Sequence, residues 1–362
     1  SVQAVNQWGT RRMPAPDLIS KLMGQERIVV MDTVGEPGDT RQVLNPTETQ
    51  AAQDKAVQLQ ERFAEWVWED EHRTQRLLAD YNQRFNSTVL RDYSAEGDRL
   101  SLPGLAKNFT PRRHQRAAVA RMLNEQSVGL FHQVGAGKTA EMVIGTTELR
   151  RLGMVSKPAV VVPNHMLEQF SREWLQLYPQ ARVLAASSDD LTRDRRRQFV
   201  ARVATNDWDA VILTRTAFQS LKLTPEHEAA YIDRQVAEHR RQIEAANERG
   251  DRPGRVLKQM EKKLLRREEE IKAKLNLPAD PGISFEDSGI DYLVVDEMHE
   301  YKNLQVTSNI SGAAIAGSQR SQDLDMKLDW LRQVHGDRVL TSATATPIAN
   351  SVAEMYVMQR YH

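Results

Sequence analysis

The segment His132-Gln-Val-Gly-Ala-Gly-Lys-Thr139 decides the fold that we expect for this chain. Its glycines let the backbone curl until several N–H groups point at one anion, its lysine can meet outer phosphates, and its threonine offers a hydroxyl to a metal ion. Ser127–Phe131 has the apolar pattern of a short strand, and Ala140–Ile144 opens a helical pattern. The segment therefore predicts a phosphate-binding loop of a nucleotide site. The predicted contacts are Gly135, Ala136, Gly137, Lys138 and Thr139.

One position departs from the general phosphate-loop pattern. That pattern has a glycine at the position that His132 occupies here. A Gly-x-Gly-Lys-Thr string alone would also suit a surface turn. The strand and helix patterns on either side favour the nucleotide loop.

A second apolar run, Tyr292–Val295, ends in the acidic pair Asp296-Glu297. An unbroken apolar run is typical of a strand buried on both faces of a parallel sheet, and α/β sheets bind ligands at the carboxyl ends of their strands. We predict that Asp296 and the hydroxyl of Thr139 hold Mg²⁺, and that Glu297 orients and deprotonates the water that attacks the γ-phosphate. The pair alone could be a solvated loop start or a helix cap, but the phosphate loop favours a catalytic site that also uses Lys138.

Composition limits the class of protein. The 362 residues suit two domains, or one α/β domain with additions. The 49 Lys and Arg residues balance the 49 Asp and Glu residues, so nucleic-acid binding would need a local basic stripe. The absence of cysteine excludes disulfides and thiolate metal sites and fits a reducing compartment. No apolar run is long enough for a membrane span and no signal pattern opens the chain, so we expect a cytoplasmic protein with no membrane partner.

The order of strand and helix patterns predicts two domains. Residues 1–99 form an N-terminal extension, mixed at first and helical from Pro46, whose aromatic side chains are expected to pack in the protein rather than to stack on nucleic-acid bases. Residues 100–362 alternate short strands with helices, which predicts an α/β fold with a parallel sheet wrapped by helices. The strand candidates before residue 222 are Val128–Phe131, Ala159–Val162, Arg182–Ala185 and Ala210–Leu213.

Residues 225–280 follow a different pattern. Apolar residues recur at helical spacing on a densely charged background of both signs, and Gly250-Asp-Arg-Pro-Gly254 interrupts them. We predict an antiparallel helical hairpin that is inserted in the lobe and projects from it as an autonomous element. Mixed charges are typical of a solvated helix surface, and the alternative is a contact with DNA or a partner protein.

Five further segments occur in the order and spacing of superfamily-two helicase-like motors, and the chain resembles this family over about residues 100–362. The second and third are similar to the family's motifs at successive strand ends, and the fourth and fifth have the Swi/Snf-type form. The resemblance implies a RecA-like lobe, a P-loop NTPase that uses ATP and Mg²⁺. The segments are Pro111-Arg-Arg-His-Gln115, Val160-Val-Val-Pro-Asn164, Asp209-Ala-Val-Ile-Leu-Thr214, Asp296-Glu-Met-His-Glu-Tyr-Lys-Asn303 and Leu340-Thr-Ser-Ala-Thr-Ala-Thr-Pro-Ile-Ala-Asn350.

The resemblance also assigns roles outside the phosphate loop. It implies that Gln115, in one segment with Arg112, reads the adenine base, because its amide can pair with both a donor and an acceptor on the base edge. His299 would couple hydrolysis to the hydroxyls of Ser342 and Thr344. The resemblance also implies that three residues contact the phosphates of a nucleic-acid strand: Pro163, Asn164 and Thr214.

Weaker strings at both ends of the chain resemble large phage- and plasmid-borne proteins that join a DNA adenine methyltransferase to such a motor. Neither Asn-Pro-Pro-Tyr nor Asp-Pro-Pro-Tyr occurs here, so methylation is assigned to an expected partner domain and not to this chain. In these motors a second RecA-like lobe supplies an arginine finger. We expect this chain to be the first lobe and weakly active by itself.

The expected function is the ATP-binding lobe of a DNA-dependent ATPase motor, a helicase or translocase. Swi/Snf-type features favour movement on duplex DNA, while the direction of movement, strand separation and an RNA track stay open. The main alternative is an ATP-gated binding scaffold without productive hydrolysis, which the intact Glu297 disfavours. A phosphate-loop kinase is the third reading, and the Gln115 element disfavours it.

Overall fold

The computed structural model describes residues 2–34, 41–87, 89–248, 262, 265–266, 269, 284–306, 315, 317–349 and 351–362. The chain divides into two compact units, one made of the residues up to Arg91 and the other of most of the chain from Asp92 on. This division lies close to the predicted boundary after residue 99.

The first unit is small and mostly helical. A side-chain oxygen of Asn45 accepts a hydrogen bond from the Glu48 amide at 2.9 Å and so caps the first turn of its longest helix. Leu18, Ala52 and their neighbours form a small apolar core. Phe63 and Trp68 of the longest helix are 62% and 61% exposed, and the expected packing of the helices of this unit on the motor domain stays a prediction. The elements are α1 (Ala15–Met23), β1 (Met31–Val34), β2 (Arg41–Leu44), α2 (Pro46–Glu69) and α3 (Glu71–Tyr81), with π-helical turns at Gln3–Gln7 and Asn82–Asn86.

The second unit is built on a six-stranded parallel sheet, which confirms the predicted α/β class. Its strands are ordered β3-β8-β7-β4-β6-β5. All neighbouring strands are parallel, so the carboxyl ends of all six meet at one edge of the sheet. The strands are β3 (Ser127–Leu130), β4 (Pro158–Val162), β5 (Val183–Ala186), β6 (Ala210–Thr214), β7 (Tyr292–Val295) and β8 (Leu340–Ala343).

Helices cover both faces of this sheet, as the uninterrupted apolar strands predict. Successive side chains of a strand point to opposite faces, and accordingly Val160 and Val162 belong to one buried cluster while Ala159 and Val161 belong to the other. The helices are α4 (Ser94–Asp98), α5 (Arg113–Asn124), α6 (Lys138–Arg151), α7 (Leu167–Leu177), α8 (Arg193–Thr205), α9 (Arg215–Ser220), α10 (Pro225–Glu248), α11 (Gln319–His335) and α12 (Val352–Tyr361), with 3₁₀ turns at Asn164–Met166, Ser188–Leu191, Glu286–Ser288 and Met298–Tyr301.

Helix α10 forms the first arm of the predicted hairpin, but its beginning is part of the core. Tyr231, Ile232 and Val236 are buried in the same cluster as α11, and the Tyr231 hydroxyl donates to a carboxylate oxygen of Asp325 at 2.5 Å. The expectation of an autonomous projection is therefore wrong for this stretch, because its apolar side chains complete the lobe. The turn at 250–254 and most of the second arm lie outside the described residues.

Within the described ranges, every helix is too short or too polar to cross a membrane.

Candidate active site

The phosphate loop runs from the end of β3 to Lys138, the first residue of α6. Gly135 and Gly137 have φ angles of 82° and 88°, a left-handed conformation that favours glycine. A Cβ atom on Gly137 would also lie 2.2 Å from Nε2 of Gln115, so a side chain at this position would displace the Gln115 amide. The Lys138 ammonium donates to the carbonyl oxygens of His132 at 3.0 Å and Gln133 at 3.2 Å. The loop is thus curled around its own lysine, whose charge lies at the amino end of a helix.

Gln115 is engaged with this loop. Its Nε2 donates to the carbonyl oxygens of Ala136 and Gly137 at 3.2 and 3.3 Å, and its Oε1 accepts from the backbone amide of Arg112 at 2.8 Å. The side chain is buried, with 4% exposed. The predicted reading of adenine by Gln115 would therefore require an exchange of these hydrogen bonds, and the role stays a prediction. The Arg112 side chain is exposed at the beginning of α5.

Asp296 follows β7 and is held in the sheet. Its amide donates to the carbonyl oxygen of Val161 in β4 at 2.9 Å, and the residue is 8% exposed. Burial, together with the neighbouring charge of Glu297, raises the pKa of Asp296 to about 6. The positive charges of Lys138 and Arg215 act in the opposite direction, so the phosphate-loop lysine lies close enough to interact with this carboxylate.

Glu297 has an uncommon backbone for a residue with a side chain. Its φ and ψ are 52° and 51°, in the left-handed region, and its amide donates to Oδ1 of Asp296 at 2.9 Å. Its Oε2 lies 3.1 Å from Nδ1 of His299, and that nitrogen lies 3.0 Å from the Thr344 hydroxyl. His299 therefore contacts both Thr344 and Glu297, and its role in coupling hydrolysis stays a prediction.

Ser342 occupies a different place from the one implied for it. Its hydroxyl lies 2.8 Å from Nε2 of His362, and Thr344 is the hydroxyl that lies beside His299. Ser342 precedes Thr344 by two residues, about 6.6 Å along an extended chain. This separation explains why the hydroxyl of Thr344, and not that of Ser342, lies beside His299.

The side chains at this edge fit a magnesium nucleotide. The Asp296 carboxylate is buried, and Lys138 and Arg215 compensate its charge only in part, so a divalent cation would stabilise its ionised form. In the part of the chain that the structure describes, no cluster of three or more acidic or histidine side chains could hold a metal by itself. Mg²⁺ is commonly held by one or two protein oxygens, waters and substrate phosphates. Asp296 and Thr139 would hold the ion, which would neutralise charge on the phosphates.

The residues implied to face nucleic acid lie at two neighbouring strand ends. Asn164 follows β4, and its Oδ1 accepts from the amide and hydroxyl of Thr216, both at 3.4 Å. The Thr214 hydroxyl is buried and accepts from the Ala217 amide at 3.2 Å, which caps α9. Pro163 is also buried. The exposed polar groups at this place are therefore Asn164 and Thr216, and Thr216 was missed by the sequence reasoning although it lies two residues past the strand end.

Two further charged residues were missed. Arg215 lies 3.0 Å from Glu300 and lowers the pKa of Asp296, and its only signal in the sequence is its position directly after a strand. Glu141 is fully buried, and both of its carboxylate oxygens lie 2.9 Å from Nδ1 of His132. The departure from glycine at position 132 was the available signal for that pair.

Comparisons with known proteins give the following similarities. Residues 121–362 match the family described as a probable helicase domain, and residues 1–87 match a domain of unknown function, DUF8437. The chain is 26% identical over 346 residues to Defense against restriction protein B of Escherichia phage P1; the match includes 83% of this chain, which spans only 15% of that relative's length.

Two solved structures from Sulfolobus solfataricus are also similar. The SWI2/SNF2 ATPase core in complex with dsDNA is 13% identical, with a TM-score of 0.39 over 72% of this chain and 37% of that chain. The SWI2/SNF2 ATPase core domain is 12% identical, with a TM-score of 0.37 over 72% of this chain and 36% of that chain.

Proposed function

This chain belongs to the family of probable helicase domains, and from that premise we propose that it is the nucleotide-binding lobe of a cytoplasmic, ATP-driven motor that moves along DNA. Its residues would bind Mg-ATP at the carboxyl edge of the sheet and position water for attack on the γ-phosphate. A second RecA-like lobe would complete the site, and a methyltransferase domain is a further proposed partner in the parent protein.

One observation carries the nucleotide part of this proposal. The phosphate loop after β3 and the acidic pair after β7 lie on strands that both border β8. The Lys138 charge acts on Asp296, while Thr344, just past β8, lies 3.0 Å from Nδ1 of His299. The residues proposed as phosphate contact, metal ligand and base thus lie at one edge of the sheet, and this supports the proposal because phosphoryl transfer needs all three together.

DNA is proposed as the track for three reasons. Asn164 and Thr216 present exposed polar groups at adjacent strand ends, on the same edge of the sheet as the phosphate loop. The Thr-Pro-Ile-Ala-Asn string has the Swi/Snf-type form, which favours duplex DNA. Defense against restriction, the role in the name of the phage P1 relative, fits a motor that acts on DNA.

The function as a whole is tested by nucleic-acid stimulation of the parent protein. We expect duplex DNA to raise steady-state phosphate release more than single-stranded DNA or RNA does, because the motor should hydrolyse ATP productively when its track is bound. The stimulation should weaken as salt rises, since phosphate contacts are electrostatic. Equal turnover with and without each nucleic acid would contradict the motor assignment, and preference for RNA would change the track.

Lys138→Ala should weaken the binding of Mg-ATP by about 10- to 150-fold, since a hydrogen bond from a charged donor contributes about 1.5–3 kcal/mol. Isothermal titration calorimetry of residues 1–362 checks this value. Lys107→Ala is the matched control, because Lys107 is exposed and precedes α5. An unchanged affinity in the Lys138 variant would remove the phosphate loop from the proposed site.

A further inference from the structure

The phosphate loop begins at His132, where the general pattern has glycine, and this histidine forms an ion pair with Glu141. Nδ1 of His132 lies 2.9 Å from both carboxylate oxygens of Glu141, a residue in the first turn of α6. His132 is the first residue of the phosphate-loop motif, and Glu141 lies two residues past its last residue, Thr139. The pair therefore connects the entry of the loop directly to the helix on which the phosphates would rest.

The pair has an asymmetric environment. The Glu141 side chain is 0% exposed, whereas that of His132 is 36% exposed. A buried carboxylate costs free energy unless it is paired, so the carboxylate needs its histidine more than the histidine needs the carboxylate. Nε2 of His114 also approaches this carboxylate but lies further away, 3.8 Å from Oε1.

The same loop is held from the side of α5. Nε2 of His114 lies 2.9 Å from the carbonyl oxygen of Ala136, and Gln115 donates to Ala136 and Gly137. The middle of the loop is therefore fixed by α5 and its beginning by Glu141. The alternative is that His132 and Glu141 only pack in the core. That alternative would not explain why a charged pair lies beside a loop that must stay curled.

We propose that Glu141 and His132 are positioning residues that hold the entry of the phosphate loop in its phosphate-binding curvature, so that nucleotide affinity depends on this ion pair. The inference rests on the proposed nucleotide site and adds a determinant to it. Neither side chain is assigned a contact with the nucleotide.

The ion pair also makes the loop sensitive to pH. The groups that face His132 are Glu141 and Lys138 on α6 and Arg121 and His114 on α5. The hydrogen bond with Glu141 is the largest influence and raises the pKa of His132 above its usual 6.5, against burial and the charges of Lys138 and Arg121. The folded protein therefore binds this proton more tightly than the unfolded chain does. The contribution of the pair is complete below pH 6.5 and is lost as pH rises through the raised pKa.

The test is a pair of exchanges that delete charge and keep a polar amide at each position. Glu141→Gln, His132→Asn and the double variant are titrated with Mg-ATP by calorimetry across neutral and mildly alkaline pH. Each single variant should bind about tenfold more weakly, the lower range for a charge-assisted hydrogen bond. The double variant should be no weaker than the poorer single variant, because both changes remove one interaction. Glu61→Gln and His72→Asn are matched exchanges at exposed positions of the first unit.

The pH profile separates positioning from a general loss of stability. Wild-type affinity should fall as His132 loses its proton; that step should move to lower pH in Glu141→Gln and vanish in His132→Asn, while both control variants keep the wild-type profile. If Glu141→Gln does not fold, His132→Asn decides, since its side chain is partly exposed. Wild-type affinity and profile in His132→Asn would overturn the inference alone. Absence of Mg-ATP binding by the wild-type chain would overturn the proposed function and this inference with it.

Discussion

Glu297→Gln is expected to reduce ATP hydrolysis by the parent protein by about 10²- to 10⁴-fold, the usual contribution of a general base, while Mg-ATP binding stays close to the wild-type value. Glutamine keeps the size of the side chain and can still form a hydrogen bond with His299, whose Nδ1 lies 3.1 Å from the carboxylate. It cannot accept the proton of the attacking water. The variant therefore separates the chemical step from binding.

Single-turnover phosphate release and calorimetric titration of the same preparation check this result. Glu244→Gln is the control, because Glu244 is exposed on α10. Turnover within a few-fold of the wild type would show that Glu297 is not the base. A parallel loss of affinity would instead show that the exchange disturbs Asp296, whose Oδ1 accepts the Glu297 amide.

The second large effect concerns the partner lobe. Residues 1–362 should bind Mg-ATP yet hydrolyse it slowly, and the presence of the second RecA-like lobe should raise turnover by about 10³- to 10⁵-fold, the range for an arginine finger. Arg215, the arginine whose charge acts on Asp296, is ion-paired with Glu300 at 3.0 Å. It is therefore committed to the first lobe and is not placed as a mobile finger.

Steady-state phosphate release from this chain and from the parent protein, both with duplex DNA, measures the difference. The Glu297→Gln parent gives the background rate. Rapid DNA-stimulated turnover by residues 1–362 alone would show that the finger comes from this chain or from a second copy of it. The proposal that the second lobe supplies it would then be withdrawn.

The sheet could be predicted from the sequence because its signals are local. Tyr292–Val295 and Ala210–Thr214 are unbroken apolar runs, and such runs predict doubly covered strands whatever their order in the sheet. The convergence of the phosphate loop with Asp296 followed from one rule, that parallel strands deliver their carboxyl ends to the same edge. Both predictions required only that these segments be recognised as strands of a parallel sheet. They did not require the identity of the neighbouring strands.

The rest depended on contacts that no local pattern contains. Tyr231 lies on a helix with a charged, solvated appearance, yet its hydroxyl donates to Asp325, 94 residues later, and places the start of α10 in the core. Glu141 looks like an ordinary surface residue of a helix, and its complete burial arises from the side chains of α5 and the loop around it.

The left-handed backbone of Glu297 implies a conflict between the proposed catalytic role of this residue and the stability of the fold. A residue with a Cβ atom in that conformation costs about 1 kcal/mol or more relative to glycine, so the fold would gain from Glu297→Gly at the position where the chemistry would lose most. When randomly mutated variants are selected for heat resistance alone, we therefore expect glycine to replace Glu297 and the selected proteins to be inactive. Persistence of glutamate there in a population of thermostabilised variants would record selection for turnover and not for folding.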